Sequence, residues 1–125
     1  MPTRTDICRA IDAYVSFLGS HDVDRLVALF HEDAVQHEPL GVRSYRGIDE
    51  IRRFDTENAQ MDFTVSRLSP ITVVGRFAAT QLKVSAQGMP DFVATDLFEF
   101  DDDCKIVSLQ VLPDLQATVG GPEPA

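Results

Sequence analysis

The hydrophobic pattern of this chain changes once, close to residue 60, and the change divides the sequence into a helical half and a strand half. Before that point, apolar residues recur with the spacing of one face of a helix. Beyond it they alternate with polar residues, which is the period of a strand. Helices that precede a run of consecutive strands are typical of an α+β domain, whereas a parallel sheet requires strands and helices to alternate along the chain.

Three helices are predicted in the first half. Thr5 or Asp6 can cap the first helix and Asp22 the second, because short polar side chains accept hydrogen bonds from the free N–H groups of a first turn. The third follows Gly47 and fades near Gln60. The predicted inward-facing residues are Ile7, Ile11, Tyr14 and Leu18 in the first helix, Val23, Leu26, Leu29 and Phe30 in the second, and Ile48, Ile51 and Phe54 in the third.

A short strand is predicted at 34–40, and the others follow the change of period. They are expected at 61–68, at 71–86 with a bend at Gly75, at 92–100 and at 106–112. We therefore expect one domain, residues 1–113, in which a curved, mostly antiparallel sheet wraps around the helices as a cone open at one end, a natural place for a pocket. Residues 114–125 are rich in Gly and Pro and are expected to fray.

Charge and cysteine content narrow the class of protein. The net charge is −9 and the arginines are scattered, so no basic stripe serves a nucleic acid or an anionic membrane. No segment has the apolar run of a signal peptide or of a bilayer span, and we expect a cytoplasmic protein. Cys8 and Cys104 are far apart and are expected to be free thiols. The group His31, Glu32, Asp33 and His37 matches no metal-ligand spacing, and neither a metal nor another cofactor is expected.

Asp96 is the most informative single residue. Strand alternation places it on one face with Phe92, Ala94, Phe98 and Phe100. Loss of hydration among phenylalanines raises the pKa of a carboxyl group, so Asp96 is suited to act as a neutral acid that donates a hydrogen bond. The alternative is a structural role, in which Asp96 binds a backbone N–H group or an arginine such as Arg76.

Tyr14 and Glu38 are further candidates, each with an ordinary alternative. Tyr14 lies in the apolar stripe of the first helix, where a phenol either donates to an oxyanion or is a core tyrosine with a satisfied hydroxyl. Glu38 lies where the short strand runs into a loop, beside Pro39. A carboxylate at such an apolar rim can serve as a general base, or it can be a solvated loop glutamate.

Taken together, Tyr14, Glu38 and Asp96 resemble the catalytic set of the ketosteroid isomerases, within the wider superfamily of nuclear-transport-factor-like and polyketide-cyclase-like domains. The resemblance covers residues 6–113. The segments that carry it are Ala-Ile-Asp-Ala-Tyr14, Asp-Val-Asp-Arg-Leu-Val-Ala-Leu-Phe30, His37-Glu38-Pro39-Leu40-Gly41, Tyr45-Arg46-Gly47, Thr95-Asp96-Leu97-Phe98-Glu99-Phe100 and Lys105-Ile106-Val107-Ser108-Leu109.

The resemblance implies a cofactor-free shift of a C=C bond in a 3-oxo-Δ5 steroid or a similar β,γ-unsaturated ketone. Glu38 would move the proton, while Tyr14 and neutral Asp96 would donate hydrogen bonds to the dienolate oxygen. An apolar ketone or steroid is thus the expected partner, with Phe54, Phe92 and Phe98 as predicted substrate contacts. A homodimer is also implied, for which Val107, Leu109 and Val111 are candidate contacts unless they belong to the core.

Two residues depart from the family pattern. Its base is usually aspartate, and Glu38 adds one methylene. Some relatives line the site with further tyrosines, whereas the only other tyrosine here is Tyr45, and Phe30 and Asp55 occupy nearby helical positions. Asp55 either lies unexpectedly near the pocket or faces water. Two alternatives therefore stay open, namely another enzyme on this fold, such as an aldol cyclase or a hydrolase, and a non-catalytic ligand-binding domain. Epoxide hydrolysis calls for an aspartate–arginine–aspartate group that the sequence does not assemble.

Overall fold

A computed structural model describes residues 1–118 and contains three helices and seven strands in the order αα-ββ-α-βββββ. The part of the tail at 119–125 that was expected to fray lies outside the described residues. The elements are α1 Arg4–Gly19, α2 Val23–Val27, β1 Phe30–His37, β2 Ser44–Arg46, α3 Gly47–Asn58, β3 Phe63–Arg67, β4 Thr72–Val74, β5 Phe77–Ala86, β6 Phe92–Phe100 and β7 Ile106–Asp114.

The strands form one curved, open sheet with the order β2-β1-β7-β6-β5-β3, and β4 pairs with β5 off this path. Strand β1 runs parallel to β7, and every other pairing is antiparallel. The predicted α+β class is confirmed. The parallel pair brings the end of β1 beside the middle of β7, with His37 opposite Gln110.

The helix starts follow from side-chain capping. Thr3, not Thr5 or Asp6, caps α1: its hydroxyl accepts a hydrogen bond from the Asp6 N–H group, and the Asp6 carboxylate accepts one from the Thr3 N–H group. This reciprocal pair satisfies two N–H groups, one of which a single cap would leave free. Asp22 caps α2 as predicted. No helix among residues 1–118 is long and apolar enough to cross a membrane.

The second helix is shorter than predicted, because β1 begins earlier. α2 ends at Val27, and Phe30 already pairs with Ile106 of β7. The Ile106 N–H group donates to the carbonyl of Leu29 at 2.9 Å, so the backbone after α2 is bound by the sheet. Leu29 and Phe30 still pack on the core, as their apolar character indicated, but not from a helix.

The long predicted strand at 71–86 is two strands. Val74 pairs with Phe77 across a two-residue turn in which Gly75 has φ +60°. A positive φ at the first position of such a turn matches the twist of a hairpin and favours glycine. The bend expected at Gly75 is therefore a complete reversal of the chain. The limits of β6 are those predicted, and β7 continues two residues further, to Asp114.

Leu109 and Val111 belong to the core and not to an outer patch. Both are buried, whereas Val107 is only partly so. The register between β6 and β7 shifts after Glu99, which inserts one extra residue into β7. A bulge of this kind breaks strict alternation. Val107 is thus out of phase with Leu109 and Val111, which the sequence pattern had placed on the same face.

Candidate functional site

A cavity of about 250 Å³ lies between α1, α3 and the inner face of the curved sheet. Most of its wall is apolar, which is typical of a site for a small organic molecule. The apolar lining residues are Leu18, Phe54, Met61, Phe63, Val65, Leu82, Val84, Ala86, Met89, Phe92, Ala94, Val111, Pro113 and Leu115. The polar ones are Tyr14, Gln36, Glu38, Asp55, Asn58 and Asp96.

Asp96 lies on the inner face of β6 and is 2 % exposed. Its Oδ1 atom is buried without a hydrogen-bond partner within residues 1–118. Arg76, its suggested structural partner, instead donates to the Asp102 carboxylate at 3.0 Å and to the Phe100 carbonyl at 3.1 Å. Burial, and then the charge of Glu38, raises the pKa of Asp96 well above its usual value. These surroundings favour the neutral form of the acid, which faces the cavity.

Tyr14 reaches the same cavity from α1. Its ring meets those of Phe98 and Phe30 edge to face, with centroid distances of 5.2 and 6.5 Å. Burial raises the pKa of the Tyr14 hydroxyl well above its usual value, and the carboxyl groups of Asp96, Glu38 and Asp55 raise it further. The phenol stays protonated, so it can donate a hydrogen bond to an oxygen in the cavity.

Glu38 was predicted inside a strand at 34–40, but β1 ends at His37 and Glu38 directly follows it. Its backbone N–H group donates to the Arg43 carbonyl at 3.0 Å, which fixes the turn. The Gln36 amide donates through Nε2 to Glu38 Oε1, also at 3.0 Å. Burial raises the pKa of Glu38 from 4.5 to about 7, although the hydrogen bond from Gln36 lowers it. At neutral pH this carboxyl group can both accept and release a proton.

Asp55 is the site residue that the sequence left undecided. It is 5 % exposed on α3, lines the cavity, and has no partner for Oδ2 in the described part of the chain. Burial and the charge of Glu38 raise the pKa of Asp55 from 3.8 to about 7, and the charge of Arg52 opposes the rise. One signal could have placed it: Asp55 comes one helical turn after the buried Ile51, on the same face.

The three predicted substrate contacts lie in different places. Phe54 and Phe92 line the cavity, and the Phe54 ring packs on Tyr45 at a centroid distance of 4.5 Å. Phe98 is a core residue: it is buried behind Tyr14 and stacks on Phe100 at 5.9 Å. Strand alternation places Phe98 on the inner face of β6, but it does not predict how far along the strand the cavity extends.

The group His31, Glu32, Asp33 and His37 lies outside the cavity wall. His37 Nδ1 lies 2.8 Å from the Ser44 hydroxyl on β2, and His37 is not part of the cavity wall. Among residues 1–118, no three His, Cys, Asp or Glu side chains are arranged to hold a metal ion. The chemistry that the cavity offers is proton transfer between Glu38 or Asp55 and a ligand, beside Tyr14 and Asp96, whose protonated forms can donate hydrogen bonds.

We expect the free energy of unfolding to fall as the pH rises from about 5 to about 8. Glu38 and Asp55 hold their protons more tightly in the folded chain than in the unfolded one, so in this window the folded state binds more protons. For Asp55, a pKa rise from 3.8 to about 7 lowers the free energy of unfolding by about 4 kcal/mol between the acidic and the alkaline end of this titration. Asp55→Asn should flatten this dependence and stabilise the protein at about pH 8, as measured by urea unfolding.

The control for this measurement is Glu57→Gln, which removes an exposed carboxylate from the same helix. It should leave the slope of stability against pH unchanged. Parallel pH curves for the wild type and Asp55→Asn would show that Asp55 ionises as readily in the folded protein as in the unfolded chain.

Residues 11–109 match the family of SnoaL-like domains, and the chain belongs to this family. Among solved structures, it is similar to SalBIII, an epoxide hydrolase/cyclase-like enzyme described with a role in pyran ring formation in the polyether salinomycin. The TM-score is 0.82 and the sequence identity 21 %, over 91 % of this chain and 95 % of that one. At this identity the likeness concerns the fold, and it agrees with the curved sheet and three helices described above.

Proposed function

We propose that this chain is a cofactor-free isomerase, which shifts a C=C bond into conjugation with the carbonyl of a 3-oxo-Δ5 steroid or a similar β,γ-unsaturated ketone. The observation that carries the proposal is the buried Asp96 carboxyl group, which has no protein partner for Oδ1 within residues 1–118 and faces an apolar cavity that also contains Glu38. A buried polar group normally has a partner. A ketone oxygen that gains negative charge during the reaction would be such a partner.

Three of the polar groups, those of Glu38, Tyr14 and Asp96, have a defined step in this reaction. Glu38, as the carboxylate, removes a proton from the carbon between the carbonyl and the C=C bond. Tyr14 and neutral Asp96 donate hydrogen bonds to the dienolate oxygen as its charge develops. Glu38 then returns the proton at the far end of the dienolate, so no atom is gained or lost and no cofactor is consumed.

The electrostatics support this division of roles. Glu38 has a pKa of about 7, so near neutral pH a large fraction is ionised, yet it is more basic than an exposed carboxylate. Gln36 holds Glu38 Oε1 at 3.0 Å, which orients the base and favours its anion. The opposite holds for Tyr14 and Asp96, because their raised pKa values favour the protonated form of each. One base thus faces two acids in one cavity.

The test is the wild-type protein with 5-androstenedione, followed by the absorbance of the conjugated enone. We expect turnover that is saturable in substrate and lost on heat denaturation. A rate equal to that without protein would contradict the proposal. Binding of the steroid without turnover would instead support the alternative of a ligand-binding domain.

A second candidate is a cyclase or hydrolase, and Asp55 favours it. Ring opening of an epoxide by a hydroxyl or by water needs a base for the nucleophile and an acid for the epoxide oxygen. Glu38 and Asp55 offer two carboxyl groups with pKa values of about 7 at one cavity. The likeness to an epoxide hydrolase/cyclase-like enzyme supports this candidate at the level of fold. No arginine lines the cavity among the described residues, so an aspartate–arginine–aspartate group is not assembled there.

A further inference from the structure

The proposed isomerisation leaves one buried acid without a task. Moving a single proton from one carbon to another needs a single carboxyl group, and Glu38 supplies it. Asp55 is nonetheless 5 % exposed, lines the same cavity, and has an unpartnered Oδ2 atom in the part of the chain that the structure describes. An unpaired carboxyl group at such a depth is costly to the fold, which points to a role with a bound ligand.

Glu38 and Asp55 differ in their hydrogen-bond partners, and the difference favours ionisation of Glu38. Glu38 Oε1 accepts a hydrogen bond from the Gln36 amide, which stabilises the anion. Asp55 Oδ2 receives no such bond within residues 1–118. The nearby Arg52 points to the surface, where it pairs with Asp24 at 2.6 Å. The hydrogen bond from Gln36 therefore favours Glu38 as the base, with a shared proton held on Asp55, although the charge of Arg52 acts in the other direction.

We propose that the same cavity also dehydrates β-hydroxy ketones, with Asp55 as the acid that protonates the departing hydroxyl group. This inference rests on the proposed function, because it uses the same base and the same enolate-stabilising donors. Dehydration differs from isomerisation in one requirement, namely a second proton, delivered to oxygen. The unused carboxyl group of Asp55 can supply it, because Asp55 lines the same cavity as Glu38 from a helix that packs against β1.

The step balances with the groups present. Glu38 takes the proton from the carbon between the carbonyl and the carbinol, and the C–H electron pair forms an enolate whose oxygen is held by Tyr14 and Asp96. The carbonyl then re-forms, the new C=C bond forms, and the C–O bond breaks as Asp55 gives its proton to the leaving oxygen. Water and a conjugated enone are the products. The proton on Glu38 then passes to the Asp55 carboxylate through water, which restores both groups.

A matched pair of substrates tests this inference. The two compounds are 5-androstenedione and 5-hydroxyandrostane-3,17-dione, the latter as both C5 epimers, and they yield the same conjugated enone by isomerisation and by dehydration. We expect the wild type to accelerate both reactions. In Asp55→Asn, the ratio of the dehydration rate to the isomerisation rate should fall about 100-fold, the usual contribution of a general acid. Asp55→Glu should restore part of that ratio.

Glu57→Gln, which lacks an exposed carboxylate on the same helix, is the matched control and should keep the wild-type ratio. Isomerisation without any acceleration of dehydration would overturn this inference and leave the proposed function standing. An unchanged ratio in the folded Asp55→Asn variant, checked by circular dichroism, would also overturn it. If neither compound reacts, both proposals fail.

Discussion

Replacing Glu38 by Gln is expected to lower kcat for the isomerisation of 5-androstenedione by about 10²- to 10⁴-fold. The amide has the size and shape of the acid but cannot take up a proton at neutral pH. Because glutamine keeps a hydrogen-bonding oxygen for the Gln36 amide, the turn after β1 should be preserved. The substrate should therefore still bind, and the loss should appear in kcat much more than in KM.

The matched control is Glu32→Gln, which changes an exposed glutamate on β1, the strand that leads to Glu38. Its initial rates of enone formation should equal those of the wild type. If Glu38→Gln retained the full rate while Asp55→Asn abolished it, the base would be Asp55. The roles derived above would then be exchanged.

Removing either hydrogen-bond donor is the second large expected effect. Tyr14→Phe keeps the ring that packs on Phe98 but loses the hydroxyl, and Asp96→Ala removes the carboxyl group. Loss of one donor to a developing oxyanion costs about 10²- to 10³-fold in kcat. Asp96→Asn should lose less than Asp96→Ala, since an amide N–H group can replace the O–H donor. The measurement is kcat for each variant from the absorbance of the enone.

Tyr45→Phe is the control for the first of these changes. Tyr45 is the other tyrosine of the chain, and it packs on Phe54 from outside the cavity wall. It should keep kcat within a few fold of the wild type. A negatively charged Asp96 would repel an enolate, so faster turnover in both Asp96→Ala and Asp96→Asn than in the wild type would show that Asp96 acts as an anion and not as a donor.

Local pattern was sufficient for much of the fold. The limits of β6 and the position of Asp96 on its inner face follow from alternation, because neighbouring side chains of a strand point to opposite faces. The Asp22 cap and the inward face of Tyr14 follow from helical spacing and hydrogen-bonding capacity in the same way. These features depend on residues that are close in sequence, and such residues carry the information themselves.

The surroundings of Asp96 could not be predicted from the local sequence pattern. The sequence left open whether this acid binds Arg76 or faces a pocket. Arg76 turns to Asp102 because the hairpin at Gly75 reverses the chain, which places Arg76 beside the end of β6 at Phe100. That reversal depends on pairing between β4 and β5, and a pattern of alternating residues is equally compatible with one long bent strand.

The α+β class, the inner faces of α1 and β6 and the acid on β6 could be predicted from the amino-acid sequence. Only the three-dimensional packing shows that Asp55 and Gln36 join Glu38 at one cavity, that Phe98 lies behind Tyr14, and that a bulge in β7 puts Val107 out of phase with the buried Leu109 and Val111. The physical reason is that raised pKa values and unpaired oxygens arise from burial and from like charges brought together. Both depend on the packing of α3 against β1 and on the curvature of the sheet, which connect residues that are distant in sequence.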